Sequence, residues 1–272
     1  MTPPASDLHA DDLVVRMPQA EARADDLDQD QEWCEVELPG GTERVRFHDY
    51  DRLFSIPGLY ERLFYTELKC DSPVVVRRLL EDRLREAGIT PSQMRVLDLG
   101  AGNGMVGEEL QSMGASALVG VDILPEAEMA AERDRPGVYD DYVVQDLTAD
   151  GADEIDALSG FRPNLLTTVA ALGFGDIPPR AFATAFGYIA LDGWVAMTIK
   201  DDFLTVADDS GFSRLITRMH AEGVLEVEVD HRYQHRLAVS GEPLHYHAYV
   251  ARKRGDVPAE WLDEVELAAT AA

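Results

Sequence analysis

Residues 95–107, Arg-Val-Leu-Asp-Leu-Gly-Ala-Gly-Asn-Gly-Met-Val-Gly, hold more chemical information than any other stretch of this chain. An apolar run (Val96, Leu97, Leu99) carries one acid, Asp98, and then breaks into glycines at 100, 102 and 104. Met105, Val106, Leu110 and Met113 follow at helical spacing, and Gly114 stops them. A strand, a glycine turn and a helix start, in that order, form a cradle for a nucleotide. Glycine lets the backbone approach a ligand closely, and the first helical turn offers unpaired N–H groups.

Two patterns share these residues. Gly102-x-Gly104-x-x-Gly107 satisfies the dinucleotide fingerprint, which alone is a weak signal. Read from Asp98, the stretch is D-x-G-x-G-x-G, which resembles motif I of the class I S-adenosylmethionine (SAM) dependent methyltransferases. Asp98 favours the second reading. A carboxylate just before the first glycine repels a pyrophosphate, whereas it attracts the ammonium and sulfonium of SAM. The bland alternative is that Asp98 only satisfies donors in the turn, since an unpaired buried carboxylate is costly.

The elements around the cradle continue the resemblance. Ala117–Val121 reads as a second buried strand that ends at Asp122, an acid placed to accept both hydroxyls of a ribose, with Ile123 beside it. Tyr142-Val-Val144 is a third strand, closing on Gln145-Asp146-Leu147. The resemblance puts Asp146 by the adenine amine; a turn or N-cap role serves that residue equally well. The strand 164–171 brings Val169 to the same edge. The resemblance thus implies a SAM site made of Asp98, Gly100, Ala101, Gly102, Asn103, Gly104, Asp122, Ile123, Asp146, Leu147 and Val169, with S-adenosylhomocysteine (SAH) as product. A fifth strand over 193–199 and helices over 180–191 and 212–222 follow. Then Leu225, Val227 and Val229 alternate with acids, Ser240-Gly-Glu-Pro turns the chain, and 244–250 alternates again. The expected fold is α/β: a Rossmann-like three-layer sandwich whose mostly parallel seven-stranded sheet ends in an antiparallel hairpin. That ending fits the methyltransferase core, covering roughly 91–254, better than an NAD-dependent oxidoreductase. A non-catalytic SAM-binding module is the other alternative.

With 272 residues, 46% of them hydrophobic, the chain can bury one substantial α/β core. Its net charge of −27 repels phosphate backbones and anionic membranes, so neither nucleic acid nor membrane is an expected partner. A small molecule is the expected acceptor, and the sequence leaves oligomeric state open, with a homodimer among the options. Three lysines (69, 200, 253) stand against twenty-one arginines, a profile that suits a high-GC genome and adaptation to salt. Cys34 and Cys70 make no disulfide framework and fit a reducing cytoplasm; the first residues lack the pattern of a signal peptide.

Residues 1–45 read as an acidic disordered tail, 46–90 as a helical cap, 91–254 as the core and 255–272 as a second acidic tail with one helical turn near Trp261. Tyr50, Phe54, Tyr60, Phe64 and Tyr65 crowd the stretch 48–68, and Pro57-Gly58 divides it into two helices. The resemblance makes this aromatic segment a lid; packing alone is the simpler role for most of its rings. Ser72-Pro73 starts a cleaner helix that Gly88 ends.

Displacement at a sulfonium leaves a neutral thioether, so positioning can supply most of the catalysis and a base is needed only if the acceptor must lose a proton. The catalytic residue is left open, with Tyr65, Lys200, Asp201 and His245 as candidates and Phe174, Asp176, Asp202, His235 and His247 also near strand ends. His245 and His247 share a strand face but have no third partner, so no metal is expected. No Asn/Asp-Pro-Pro-Tyr/Phe box follows the fourth strand, and no cysteine is placed to attack a pyrimidine.

Overall fold

The computed structural model describes residues 13–18, 29–172, 176–201 and 211–269. The chain begins with a small antiparallel sheet in which β1 (Val15–Arg16) pairs with β2 (Trp33–Leu38) and β2 with β3 (Gly41–Arg46). This overturns the expectation of a disordered tail over 1–45 for its described part. Acidic residues dominate the average composition, but Trp33-Cys34-Glu35-Val36 alternates with a period of two. Cys34, Val36 and Val45 are therefore buried on one side while Glu37 stays wet.

Helix α1 (Tyr50–Ser55) breaks at Pro57-Gly58, and α2 (Leu59–Glu61) runs on into a π-helical turn over Arg62–Glu67. These pack with the small sheet around Phe47, Leu53, Leu59 and Leu63. Helix α3 (Ser72–Glu86) carries Pro73 in its first turn, where a missing N–H costs nothing. It packs on the main sheet through Val76, Leu80 and Leu84, and so belongs to the helical layers of the core.

The core then alternates: β4 (Arg95–Leu99), α4 (Met105–Met113), β5 (Ala117–Asp122), α5 (Pro125–Asp134), β6 (Asp141–Val144), α6 (Asp156–Phe161), β7 (Leu165–Thr168), α7 (Pro179–Tyr188), β8 (Trp194–Lys200), α8 (Phe212–Ala221), β9 (Leu225–Leu237) and β10 (Pro243–Lys253). The strand order is β6-β5-β4-β7-β8-β10-β9, with β10 antiparallel to both neighbours and the first five strands parallel. This is the expected α/β sandwich. Alternate residues face opposite layers: Val96, Leu118, Leu165 and Ala196 meet α3 and α4, whereas Leu97, Val119, Leu166 and Val195 meet Phe182 and Phe186 of α7.

Residues 259–269 form a full helix, α9 (Ala259–Ala269), where a tail with one turn is expected. Trp261, Leu262 and Val265, spaced i, i+1 and i+4 among acids, bury one face of it against the α7–α8 layer. None of the described helices is long and apolar enough to cross a membrane.

Candidate cofactor and acceptor site

The strand order reverses between β4 and β7, and the crevice beyond the carboxyl ends of such strands is where α/β sheets bind ligands. A cavity of about 320 Å³ opens there. Its floor is the loop after β4. Gly100 and Ala101 donate their N–H groups to the Val121 carbonyl (2.8 and 3.1 Å), Gly102 donates to Asp122 Oδ2 (3.0 Å), and the Tyr142 hydroxyl donates to the Gly102 carbonyl (2.9 Å). The end of β5 thereby fixes the loop before any ligand arrives. Asp122 lines the cavity, with Oδ1 accepting from the Leu124 N–H at 3.1 Å; burial pushes its carboxyl above the usual range.

Asp98 sits differently from the expectation of direct contact with a cation. It does not line the cavity. At 1% exposure it lies beneath the loop, accepting hydrogen bonds from the Thr167 hydroxyl (2.6 Å) and the Tyr139 hydroxyl (2.7 Å). Burial raises its carboxyl to about 6, against the pull of those two donors. Gly107 explains how Tyr139 reaches it: a Cβ on that residue would stand 2.7 Å from the tyrosine ring. The last glycine of the motif makes room for a hydrogen bond rather than for a pyrophosphate.

Gly100, Ala101, Gly102, Asn103, Ile123, Asp146, Leu147 and Val169 all line the cavity. Gly104 lies outside its wall and starts α4 with a φ of +87°. Asp146 lines the cavity and serves the turn: its Oδ1 accepts from the Thr148 N–H (2.8 Å) and hydroxyl (2.7 Å), which hold its carboxyl below the ordinary value. Asn103 is 2% exposed, donates to Glu61 Oε1 (3.2 Å) and Asp134 Oδ2 (3.3 Å), and leaves its buried Oδ1 without a partner.

The roof comes from the aromatic segment. Phe54 packs at a tilt against Tyr60 (4.9 Å between ring centres) and hangs over the loop; a Cβ at Gly102, whose φ is +53°, would stand 3.1 Å from its ring tip. Two arginines at the end of α5 latch this roof. Arg133 donates to the Phe54 carbonyl (3.0 Å), and Arg135 donates to Glu61 (2.7 Å), to the Asn103 carbonyl (3.2 Å) and to Glu108 (2.9 Å).

Away from the loop, Tyr50, Tyr60 and Tyr65 line the cavity, and burial drives all three hydroxyls above the usual tyrosine range, so they stay protonated. Here His48 Nδ1 stands 3.1 Å from Asp176 Oδ2. Both also border a smaller chamber of about 30 Å³ with Gln29, Cys70, His235, Arg236 and Tyr246. Sequence reasoning singled out Asp176 but missed His48, which no motif marks; its only sequence signal is its place just before the aromatic segment.

Three of the four leading catalytic candidates lie elsewhere. Lys200, Asp201 and His245 line neither cavity. Asp201 accepts from Arg232 Nε at 2.7 Å and faces His247 Nε2 at 3.4 Å, while His245 is half-buried on β10 opposite Gln234. The edge of β8 is covered by ion pairs with the hairpin, and the site opens one strand further on. His235 is buried, driven neutral by that burial, with Nδ1 2.6 Å from the Ser72 hydroxyl. Phe174 and Asp202 lie outside the described residues. Among the described residues, no cluster of three or more side chains is arranged to hold a metal.

The cavity suits a cationic nucleoside better than a dinucleotide. Among the described residues no lysine or arginine lines it, whereas Asp51, Asp122, Asp146 and Asp176 do. Those carboxylates repel a phosphate and attract a sulfonium and an ammonium. Residues 75–246 match the family described as the methyltransferase domain. The chain belongs to the methyltransferase family. S-adenosylmethionine is the cofactor of methyltransferases of this class, and the dinucleotide alternative falls away. No curated protein matches the methyltransferase. Among solved structures it is similar to a SAM-dependent methyltransferase from Anabaena variabilis (10% identity, 75% of this chain and 92% of that one, TM-score 0.52), which shares the fold. Likeness also extends to the magnesium protoporphyrin IX methyltransferase of Synechocystis with bound SAM (14%, 66% and 79%, TM-score 0.47). A third is the ribosomal protein L11 methylase of Lactobacillus delbrueckii subsp. bulgaricus (18%, 67% and 78%, TM-score 0.45).

Proposed function

We propose that this methyltransferase transfers a methyl group from SAM to a small molecule held beneath the α1–α2 roof. The observation that carries this reading is the course of the cavity: it runs from the glycine loop, past Ala170 and Ala171, to a wall of tyrosines that also borders the smaller chamber. Such a shape encloses a small ligand, whereas a polymer needs an open groove. A net charge of −27 and a cavity lining without lysine or arginine among the described residues argue the same way against nucleic acid.

When bound, the cofactor supplies an electrophilic methyl group. Asp122, at the end of β5, would hold the ribose hydroxyls, Asp146 and Leu147 the base, and the loop 100–103 the amino-acid end. Asp98 sets the loop from below and adds negative potential. The roof excludes water and orients the acceptor, which lowers the barrier mainly through position.

The test is calorimetric titration of the full chain with SAH, with NAD as comparison, at low and high salt, followed by transfer of labelled methyl from SAM to pools of small molecules, RNA or protein. The expected result is SAH binding alone, lost in Asp122→Ala, and label only in the small-molecule pool. Label appearing only in RNA or protein overturns the acceptor assignment, and NAD binding in place of SAH overturns the donor.

A further inference from the structure

We propose that the acceptor is a small amine, carried into the cavity as a cation and released as its methylammonium. This rests on the preceding reading of the cavity as a methyl-transfer site. Tyr50, Tyr60 and Tyr65 line both the cavity and the smaller chamber, and Phe54 lines the cavity. Tyr50 stacks on Phe54 at 6.1 Å between ring centres, and Tyr60 stands 4.9 Å from Phe54 and 6.2 Å from Tyr65. The four rings thus form one continuous aromatic surface. The faces of such rings carry negative charge and attract an ammonium within about 6 Å.

The charges around this surface have one sign. Asp51 and Asp176 border the cavity with the tyrosines. Asp176 stands 3.1 Å from His48, and that pair is anionic or neutral in either protonation state of the imidazole. Arg236, which borders the smaller chamber, is neutralised by Glu32 at 2.6 Å. Burial holds the tyrosine hydroxyls protonated, helped by Asp176 at Tyr50 and by Asp122 at Tyr60. Those surroundings penalise any oxygen anion, so an alkoxide, phenolate or carboxylate acceptor is disfavoured there. Among the described residues, the hydroxyls of Tyr50, Tyr60 and Tyr65 have no hydrogen-bond partner, which leaves their lone pairs for the N–H groups of an amine.

Conservation of charge points the same way. The bound ammonium first gives one proton to water. The freed nitrogen lone pair forms the N–CH₃ bond as the pair of the breaking C–S bond stays on sulfur, and the positive charge of the sulfonium passes to nitrogen. The negative wall therefore faces positive charge before and after transfer. An anionic acceptor would annihilate that charge and lose its attraction to the wall.

Three compounds of one shape test the sign of the charge: choline, its neutral carbon isostere tert-butylethanol, and the anion of tert-butylacetic acid. Each is titrated calorimetrically into the full chain with SAH bound, at about 0.15 M salt, where charges more than about 8 Å away are screened. Choline is expected to bind about tenfold more tightly than tert-butylethanol, and the anion more weakly than either. Tyr60→Leu and Asp176→Asn should each remove most of that preference while SAH still binds, whereas Tyr60→Phe, which keeps the ring face, should retain it. On wild-type protein that binds SAH, equal affinity for choline and its neutral isostere, no choline binding, or tighter binding of the anion overturns the proposal alone. A preference undiminished in both Tyr60→Leu and Asp176→Asn does the same. Failure of wild-type protein to bind SAH overturns the donor reading and this proposal with it.

Discussion

Replacing Asp98 with asparagine should make the protein more stable at neutral pH and a poorer binder of SAH. The side chain is 1% exposed, and among the described residues the hydroxyls of Thr167 and Tyr139 compensate its charge. Both hydroxyls can rotate to accept as well as donate, so an isosteric amide keeps the contacts. The wild-type carboxyl is lifted from the ordinary 3.8 to about 6, which at about 1.4 kcal/mol per pH unit amounts to roughly 3 kcal/mol. The sign follows from proton binding. The folded state holds its proton more tightly than the unfolded chain, so this residue's contribution is fully present below pH 3.8 and is lost as pH rises to about 6. Asp98→Asn lacks that loss. Urea unfolding of both proteins from about pH 4 to about pH 8, with unchanged slope in denaturant, should show a gap that widens by roughly 3 kcal/mol and then stays constant. Parallel curves would refute the reasoning, because the buried charge would then cost nothing. The carboxylate's return for that cost is the negative potential it puts under the loop, so SAH affinity should fall in the same variant.

Other outcomes follow from contacts of the same kind. Arg135→Ala removes the bridge from Glu61 to the Asn103 carbonyl, and SAH should dissociate about tenfold faster in stopped-flow measurements; an unchanged off-rate would mean the roof holds without its latch. Gly107→Ala drives a methyl into the Tyr139 ring and should cost about 1–3 kcal/mol in thermal melts, with loss of the Asp98 hydrogen bond. Glu32→Ala strands the guanidinium of Arg236, since the two side chains are 3% and 2% exposed. The expected loss is about 3–5 kcal/mol, which Glu32→Leu combined with Arg236→Met should largely recover.

The parallel part of the fold was legible because β4, β5, β7 and β8 are continuous apolar runs between glycine and proline punctuation, and the β9–β10 hairpin announced itself by changing period. The N-terminal hairpin was not, because acid-rich composition over the whole segment hid six alternating residues, Trp33–Leu38. Helix α9 was missed for a related reason: three apolar residues among acids look like a tail until the α7–α8 layer offers them a surface. At the site, the loop half of the cavity was legible as one local motif, since Gly100–Asn103 are contiguous and Asp122 and Asp146 lie at or just past the ends of consecutive strands. The other half was not local at all. His48 and Asp176 are 128 positions apart, and only folding makes them a pair. Lys200 and Asp201 were plausible from their place at a strand end, but the reversal between β4 and β7 puts the crevice elsewhere.

The glycine loop and the aromatic roof above it are carried on separate stretches of polypeptide. The family match begins at residue 75, after Tyr50, Phe54, Tyr60 and Tyr65 have already been laid down. The hairpin and roof over 29–70 are tied to the rest through contacts that include Glu32–Arg236, Arg133–Phe54 and Arg135–Glu61. Grafting another 29–70 segment that keeps those anchors would retain the methyl-donor machinery and exchange the clientele, a route to new products that leaves the glycine loop untouched.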